Sequence, residues 1–186
     1  VGSEMCIRDR FKRFSYFNND INGFNLQKCK EIDFVVHLAA QPGVRLNHTE
    51  YQKYIDSNIS STISLANEMV ENNVKNLIFA SSSSVYDGSS KAKMTEEYTS
   101  LKPSSFYGIS KLFMEKIIEK YTEKSYFNAV GLRFFTVYGS YGRPDMAYYK
   151  FTKQILNNEK IKLHNSGEMS RDCLLYTSPS PRDRNV

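Results

Sequence analysis

The chain has no apolar run approaching the ~20 residues that a membrane-spanning helix needs. It also lacks the basic, apolar and small-residue succession of a secretory signal and any block of like charge. The first two absences make a cytoplasmic protein the expectation, with no membrane partner. The formal net charge of +5 is spread, lysines alternating with acids, so nucleic acid is not an expected partner either. Three cysteines, Cys6, Cys29 and Cys173, show no C-x-x-C spacing, and neither disulfides nor a metal site are expected. No internal repeat or low-complexity tract is present. What remains is 186 residues, 40% hydrophobic and 24% charged, enough for one soluble domain with a real core.

The two ends differ from the body. Residues 1–10 (VGSEMCIRDR) and 173–186 (CLLYTSPSPRDRNV) share no periodicity with it and resemble translated adaptor or vector sequence. Both are set aside from the fold reading as adaptor-derived artefacts. On that reading 11–172 is an internal piece of a longer protein.

Within the body, Asp33 to Leu38 is a compact valine-rich run that predicts a buried parallel strand. A loop follows over Ala39 to Arg45. Apolar residues at Ile55, Ile59, Ile63, Ala66, Met69 and Val70 then recur at helical spacing up to Asn72-Asn73. Asn76 to Ala80 predicts a second buried strand running into the serines Ser81 to Ser84. Ser104 is the expected N-cap of a helix reaching Lys124, and Ala129 to Phe135 predicts a third strand. After the loop Gly139 to Pro144, a helix is expected over Met146 to Asn157 and a short strand over Ile161 to His164.

Strands alternating with long helices argue for an α/β fold, a parallel sheet covered by helices on both faces. Ligands of such sheets bind beyond the carboxyl ends of the strands. The segments beginning at Ala39, Ser81 and Thr136 all start there, so three stretches of sequence converge on one crevice.

The chemistry is carried by Tyr107-Gly108-Ile109-Ser110-Lys111. Positions i and i+4 share a helix face, so the Lys111 ammonium can favour ionisation of the Tyr107 phenol and make it a base near neutral pH. Taken alone, Tyr-x-x-x-Lys is equally a surface helix pair in a chain with 13 tyrosines. Its setting raises it, because Ser82 ends a buried strand upstream and can share a hydrogen bond with both the phenol and a substrate alcohol.

At this point the chain resembles the extended short-chain dehydrogenase/reductases, the NAD-dependent nucleotide-sugar epimerases and dehydratases. The resemblance rests on HLAAQPGVR (His37 to Arg45), ASSSSVY (Ala80 to Tyr86), YGISK (Tyr107 to Lys111), LRFFTVYG (Leu132 to Gly139), GRPDMA (Gly142 to Ala147) and GEMSRD (Gly167 to Asp172). These stretches are most similar to UDP-glucuronate 4-epimerases. The fold implied is an incomplete Rossmann-like, doubly wound parallel sheet, with 11–172 a partial NAD-binding domain lacking the first strands and most of a carboxyl-terminal substrate domain.

The resemblance implies NAD as cofactor and a UDP-sugar as substrate. Asp20 and Ile21 would contact the adenine. Leu38, Ala39, Ala40 and Gln41 would line the pyrophosphate and ribose side, Asn58 would support that region, and Phe135 would touch the nicotinamide. Lys111 would hold the nicotinamide ribose while Tyr107 and Ser82 take the proton from the sugar 4-hydroxyl. Arg143 and Thr136 would hold a glucuronate carboxylate, with Arg45 as a second candidate, and Arg171 would meet the diphosphate. For each arginine taken singly, a surface salt bridge is the competing reading.

Ser83 and Ser84 complete the expected substrate-binding set. They stand where the related dehydratases and decarboxylases resemble one another in carrying an acid, which favours simple oxidation and reduction over elimination. Two departures are visible: Asp87 replaces a glycine usual after Val-Tyr, and the glycine-rich phosphate loop is absent from this chain. UDP-glucose or UDP-N-acetylhexosamine epimerisation and a catalytically inert fragment remain the competing readings. The resemblance implies a homodimer of the intact parent, paired through the Tyr107 helix and its neighbour, with Phe113, Met114 and Ile117 on the outer faces; packing of these residues on the sheet is the competing reading.

Overall fold

The computed structural model describes residues 14–29, 31–44, 46–86, 94–97, 101–139, 142, 144–168 and 173–175. Three strands, β1 (Val35–His37), β2 (Asn76–Ser82) and β3 (Asn128–Phe134), form a parallel sheet in the order β1-β2-β3. Parallel neighbours need a crossover. The first contains α1 (Ser61–Glu71) and the second α2 (Phe106–Glu123). In register, Val35 stands beside Leu77 and Leu77 beside Ala129; His37 stands beside Phe79 and Phe79 beside Gly131.

Strand alternation turns Leu77 and Phe79 toward the helices. They close a core with Leu65, Ala66 and Met69 of α1, Ile118 of α2, and Leu26 and Phe127 from the flanking segments. Helices were expected on both faces of the sheet; among the described residues only one face is covered. The opposite parity, Phe34, Val36, Leu38, Val130, Leu132 and Phe134, stays exposed.

The helix ends follow local chemistry. Beyond α1, Asn73 takes a left-handed conformation (φ 56°), a geometry that asparagine tolerates better than most residues. The cap of α2 is Ser105, not the expected Ser104: Ser105 has extended backbone, and its hydroxyl accepts from the Gly108 amide at 3.0 Å. The two serines are adjacent and chemically equal, so only the backbone conformation separates them. Met114, expected on the outer face of α2, is fully buried, whereas Phe113 is exposed and Ile117 half-buried. Met114 lies four residues from Ser110 and from Ile118, both buried, and so belongs to the inward stripe.

Downstream, β4 (Thr136–Tyr138) pairs in parallel with β5 (Cys173–Leu175), which lies in the stretch set aside from the sequence. Helix α3 (Ala147–Leu156) buries none of its residues. The strand expected over Ile161 to His164 does not form. Residues 161–163 are irregular, and a 3₁₀ turn occupies His164–Gly167. A strand needs a partner edge for its backbone groups, and this stretch is paired to no strand.

Candidate active site

Helix α2 grips the carboxyl end of β2. Lys111 is 2% exposed, and its Nζ donates to the Ala80 carbonyl at 2.9 Å. That ammonium stands 5.9 Å from the centre of the Tyr107 ring, so the i, i+4 pair does share one face. Burial pushes the Lys111 pKa down to about 8. Tyr107 is half-buried, with the Tyr54 ring 6.0 Å from its own.

Gly108, beside Tyr107, explains the close approach of helix and serine turn. A Cβ there would lie 2.3 Å from the Ser84 carbonyl oxygen and 2.9 Å from the Pro103 Cβ, so no side chain fits. The serine turn has its own cap: Ser82 Oγ accepts from the Ser84 amide at 3.2 Å, a 3₁₀ turn spans Ser83–Val85, and Val85 is fully buried. Ser82 is 9% exposed, and Ser83 and Ser84 are half-buried.

A second set of hydrogen bonds ties α2 to the loop after β1. Asn58 Oδ1 accepts from the Gln41 amide at 2.7 Å. Its Nδ2 donates to the Gln41 carbonyl at 3.3 Å and to Ser110 Oγ at 2.9 Å. Ser110 in turn donates to the Tyr107 carbonyl at 2.8 Å. Asn58 sits in a π turn, Ile55–Ser60, just ahead of α1. The widened turn breaks the regular helical stagger there, and such turns recur at functional sites.

His37, at the end of β1, is 2% exposed. Thr62 has one hydroxyl hydrogen, and its Oγ1 lies 2.6 Å from the Asn58 carbonyl, to which it donates. The 3.3 Å contact between Thr62 Oγ1 and His37 Nε2 therefore needs the hydrogen on Nε2. This assignment leaves Nδ1 as an acceptor, and it has no partner among the described residues. Burial, and then the charge of Lys111, hold the His37 pKa down at about 4.

The other expected residues are placed as follows. Leu38 and Ala39 are exposed at the carboxyl end of β1, with Ala40 half-buried. Phe135 is half-buried, its ring 6.4 Å from that of Tyr86. Thr136 opens β4. Asp20 closes a turn by accepting from the Asn22 amide at 2.7 Å, and Ile21 packs on the core. Arg45, Arg143, Arg171 and Asp87 lie outside the described residues.

The structure thus brings Tyr107, Lys111, the serine turn, Asn58 and Gln41 together. Sequence reasoning missed Ser81, Glu115 and Arg133, which form a hydrogen-bonded cluster beside the turn. The signal that was available is spacing: Glu115 follows Lys111 by four residues, as Lys111 follows Tyr107.

This donor set suits a hydroxyl-rich dinucleotide. The Lys111 ammonium has three hydrogens and one acceptor among the described residues, the Ala80 carbonyl. Past the end of β1, Leu38 and Ala39 present exposed apolar surface on which a flat ligand can lie. No group of three His, Cys, Asp or Glu side chains that could hold a metal occurs among the described residues, and no described helix is long and apolar enough to cross a membrane.

Comparison with known proteins agrees. The chain is 38% identical over 172 residues to the protein CapI of Staphylococcus aureus, covering 92% of this chain and 50% of CapI. It is 40% identical over 142 residues to UDP-glucuronate 4-epimerase 6 of Arabidopsis thaliana, covering 74% of this chain and 31% of that protein. Among solved structures it resembles the UDP-glucuronic acid 4-epimerase of Bacillus cereus in complex with UDP-glucuronic acid and NAD, with a TM-score of 0.81 and 33% identity. That match covers 94% of this chain and 55% of the other. The chain therefore spans about half or less of the length of these relatives. Residues 11–176 match the NAD dependent epimerase/dehydratase family, and the chain belongs to it.

Proposed function

We propose that this chain is the central part of an NAD-dependent nucleotide-sugar 4-epimerase that interconverts UDP-glucuronate and UDP-galacturonate. One observation carries the reading: a buried ammonium, Lys111, sits against the ring of Tyr107 where α2 meets the serine turn at the carboxyl end of β2. In water a phenol is too weak a base, but a positive charge held nearby in a desolvated site lowers its pKa.

Bound NAD would supply hydride chemistry at the sugar ring carbon, which changes hand because the hydride would come back to its other face. This chain supplies the rest. Tyr107, with Ser82 sharing the hydrogen bond, takes the proton of the 4-hydroxyl and later gives it back. Lys111 keeps the phenol ionisable and holds the nicotinamide ribose. Asp20 and Ile21 are assigned to the adenine, Leu38 to Gln41 to the pyrophosphate and ribose side, and Phe135 to the nicotinamide. Asn58 fixes the Gln41 backbone for that purpose.

The acidic sugar is favoured by Arg143, with Thr136 and Arg45, as partners for its carboxylate, and by Arg171 for the diphosphate. Serine at 83 and 84 leaves no carboxylic acid at those two positions for elimination or decarboxylation. The exposed Ile109 and Phe113 of α2, with Ile63 of α1, are assigned to a homodimer contact.

The full-length protein containing this segment should turn over UDP-glucuronate faster than UDP-glucose or UDP-N-acetylglucosamine. Tyr107→Phe should lower kcat by about 10²- to 10⁴-fold while bound NAD is retained. Turnover of none of the three sugars by the unmutated protein, or an unaltered kcat in Tyr107→Phe, would refute the reading.

A further inference from the structure

We propose that the Glu115–Arg133 ion pair is a positioning device that fixes both ends of the serine turn for proton transfer; the proposal rests on the reaction assigned above. The carboxylate is gripped by two donors of one guanidinium. Arg133 Nε donates to Glu115 Oε1 at 2.9 Å and Nη2 to Oε2 at 2.8 Å. Ser81 Oγ also donates to Oε1. Arg133 Nη1 donates to the Tyr86 hydroxyl at 3.2 Å, and that hydroxyl donates to the Thr95 carbonyl at 3.2 Å.

The anchors fall where a turn is held most firmly. Ser81 immediately precedes Ser82, and it is in register with Arg133 on the neighbouring strand. Tyr86 immediately follows Val85, and its amide closes the turn onto the Ser83 carbonyl at 3.1 Å. Residues 82–85 are therefore strung between two points of one ion pair.

Helix α2 supplies the third constraint. Gly108, Lys111 and Glu115 are three and then four residues apart, one stripe on one face. Gly108 meets Ser84, Lys111 meets Ala80, and Glu115 meets Ser81. The helix that carries the base thus holds the strand that carries the serine hydroxyl at Ala80 and Ser81, and the turn after it at Ser84.

Stability alone does not call for such a pair. Its side chains are 14% and 21% exposed, and burying charges costs desolvation that well-packed apolar residues would avoid. What a bidentate pair supplies is fixed geometry. Proton transfer needs heavy atoms at roughly 2.6–3.2 Å, and a misplacement of about 1 Å costs on the order of 10²-fold in rate. Glu115, Arg133 and Ser81 touch no reacting atom in this scheme; they act through Ser82 and Tyr107.

Ser81→Ala and Arg133→Lys in the full-length protein test the proposal. The first removes one arm and leaves the ion pair. The second keeps the charge and loses the fork. Both should lower kcat by about tenfold or more, with KM and bound NAD per protomer within about twofold of the unmutated protein. Amide hydrogen exchange gives a reading independent of turnover: residues 82–86 should exchange about tenfold faster or more in both variants, while β1 is unchanged. Wild-type exchange at 82–86 in both variants, or unaltered kcat in both, overturns the clamp. An unmutated protein inert on every UDP-sugar refutes the functional reading, and the exchange comparison then decides the clamp by itself.

Discussion

Tyr107 and Lys111 illustrate how much one short spacing determines. Their shared face follows from helical geometry alone, whereas the desolvation of the ammonium depends on α2 lying against β2. His37 makes the same point more sharply. In sequence it is the last polar residue of a valine-rich run and opens one of the stretches of family resemblance, with no role of its own; in the fold it is buried beside Thr62, with its Nδ1 buried and without a partner among the described residues. A consequence is measurable. The pKa of His37 is lowered from 6.5 to about 4, so below pH 6.5 the unfolded chain takes up a proton that the folded chain refuses. The stability contribution is therefore constant above pH 6.5, falls as the pH drops toward 4, and levels off below it. The loss by pH 4 should be on the order of 3 kcal/mol. Urea unfolding of the full-length protein and of His37→Gln, compared across that range, checks this: the variant should lack this part of the acid limb, and parallel curves would contradict it.

At the scale of elements, the strands and long helices follow hydrophobic period, and their ends follow local hydrogen bonding. Asn76 to Ala80 reads as a strand because it is apolar, but the strand continues to Ser82 because β3 pairs with it that far. Serines carry no strand signature, so hydrophobic period alone stops the strand at Ala80. Ile161 to His164 fails for the opposite reason: alternation is present and a partner edge is not. The start of α2 offers a clean test. Ser105→Ala should cost about 1 kcal/mol of stability by denaturant unfolding, with Ser104→Ala close to neutral, because only Ser105 bonds the Gly108 amide. Equal effects at the two positions would mean that the cap is shared. The π turn at Ile55–Ser60 is the least legible element, since its sequence fits an ordinary helix and only the bonds of Asn58 to Gln41 and Ser110 mark the departure.

For the molecule at large, the decisive feature is a sheet clothed, among the described residues, on one face. Val36, Val130 and Leu132 present apolar surface, as do Ile155 and Leu156 on α3. Exposed apolar surface of this kind is an association hazard. The 186-residue chain on its own should bind a hydrophobic dye strongly and scatter as more than a monomer, whereas the full-length protein should bind little dye. A monodisperse, dye-negative 186-residue chain would show that the face is covered from within. The alternation of strand and helix, the family, and the pairing of Tyr107 with Lys111 are legible along the chain, because each depends on residues close together in it or on short motifs. Tertiary structure alone decided the burial of His37 and Lys111, the need for glycine at 108, and the Glu115–Arg133 clamp on the serine turn. Those depend on which surfaces meet, and residues 18 to 52 positions apart meet only once the sheet has assembled.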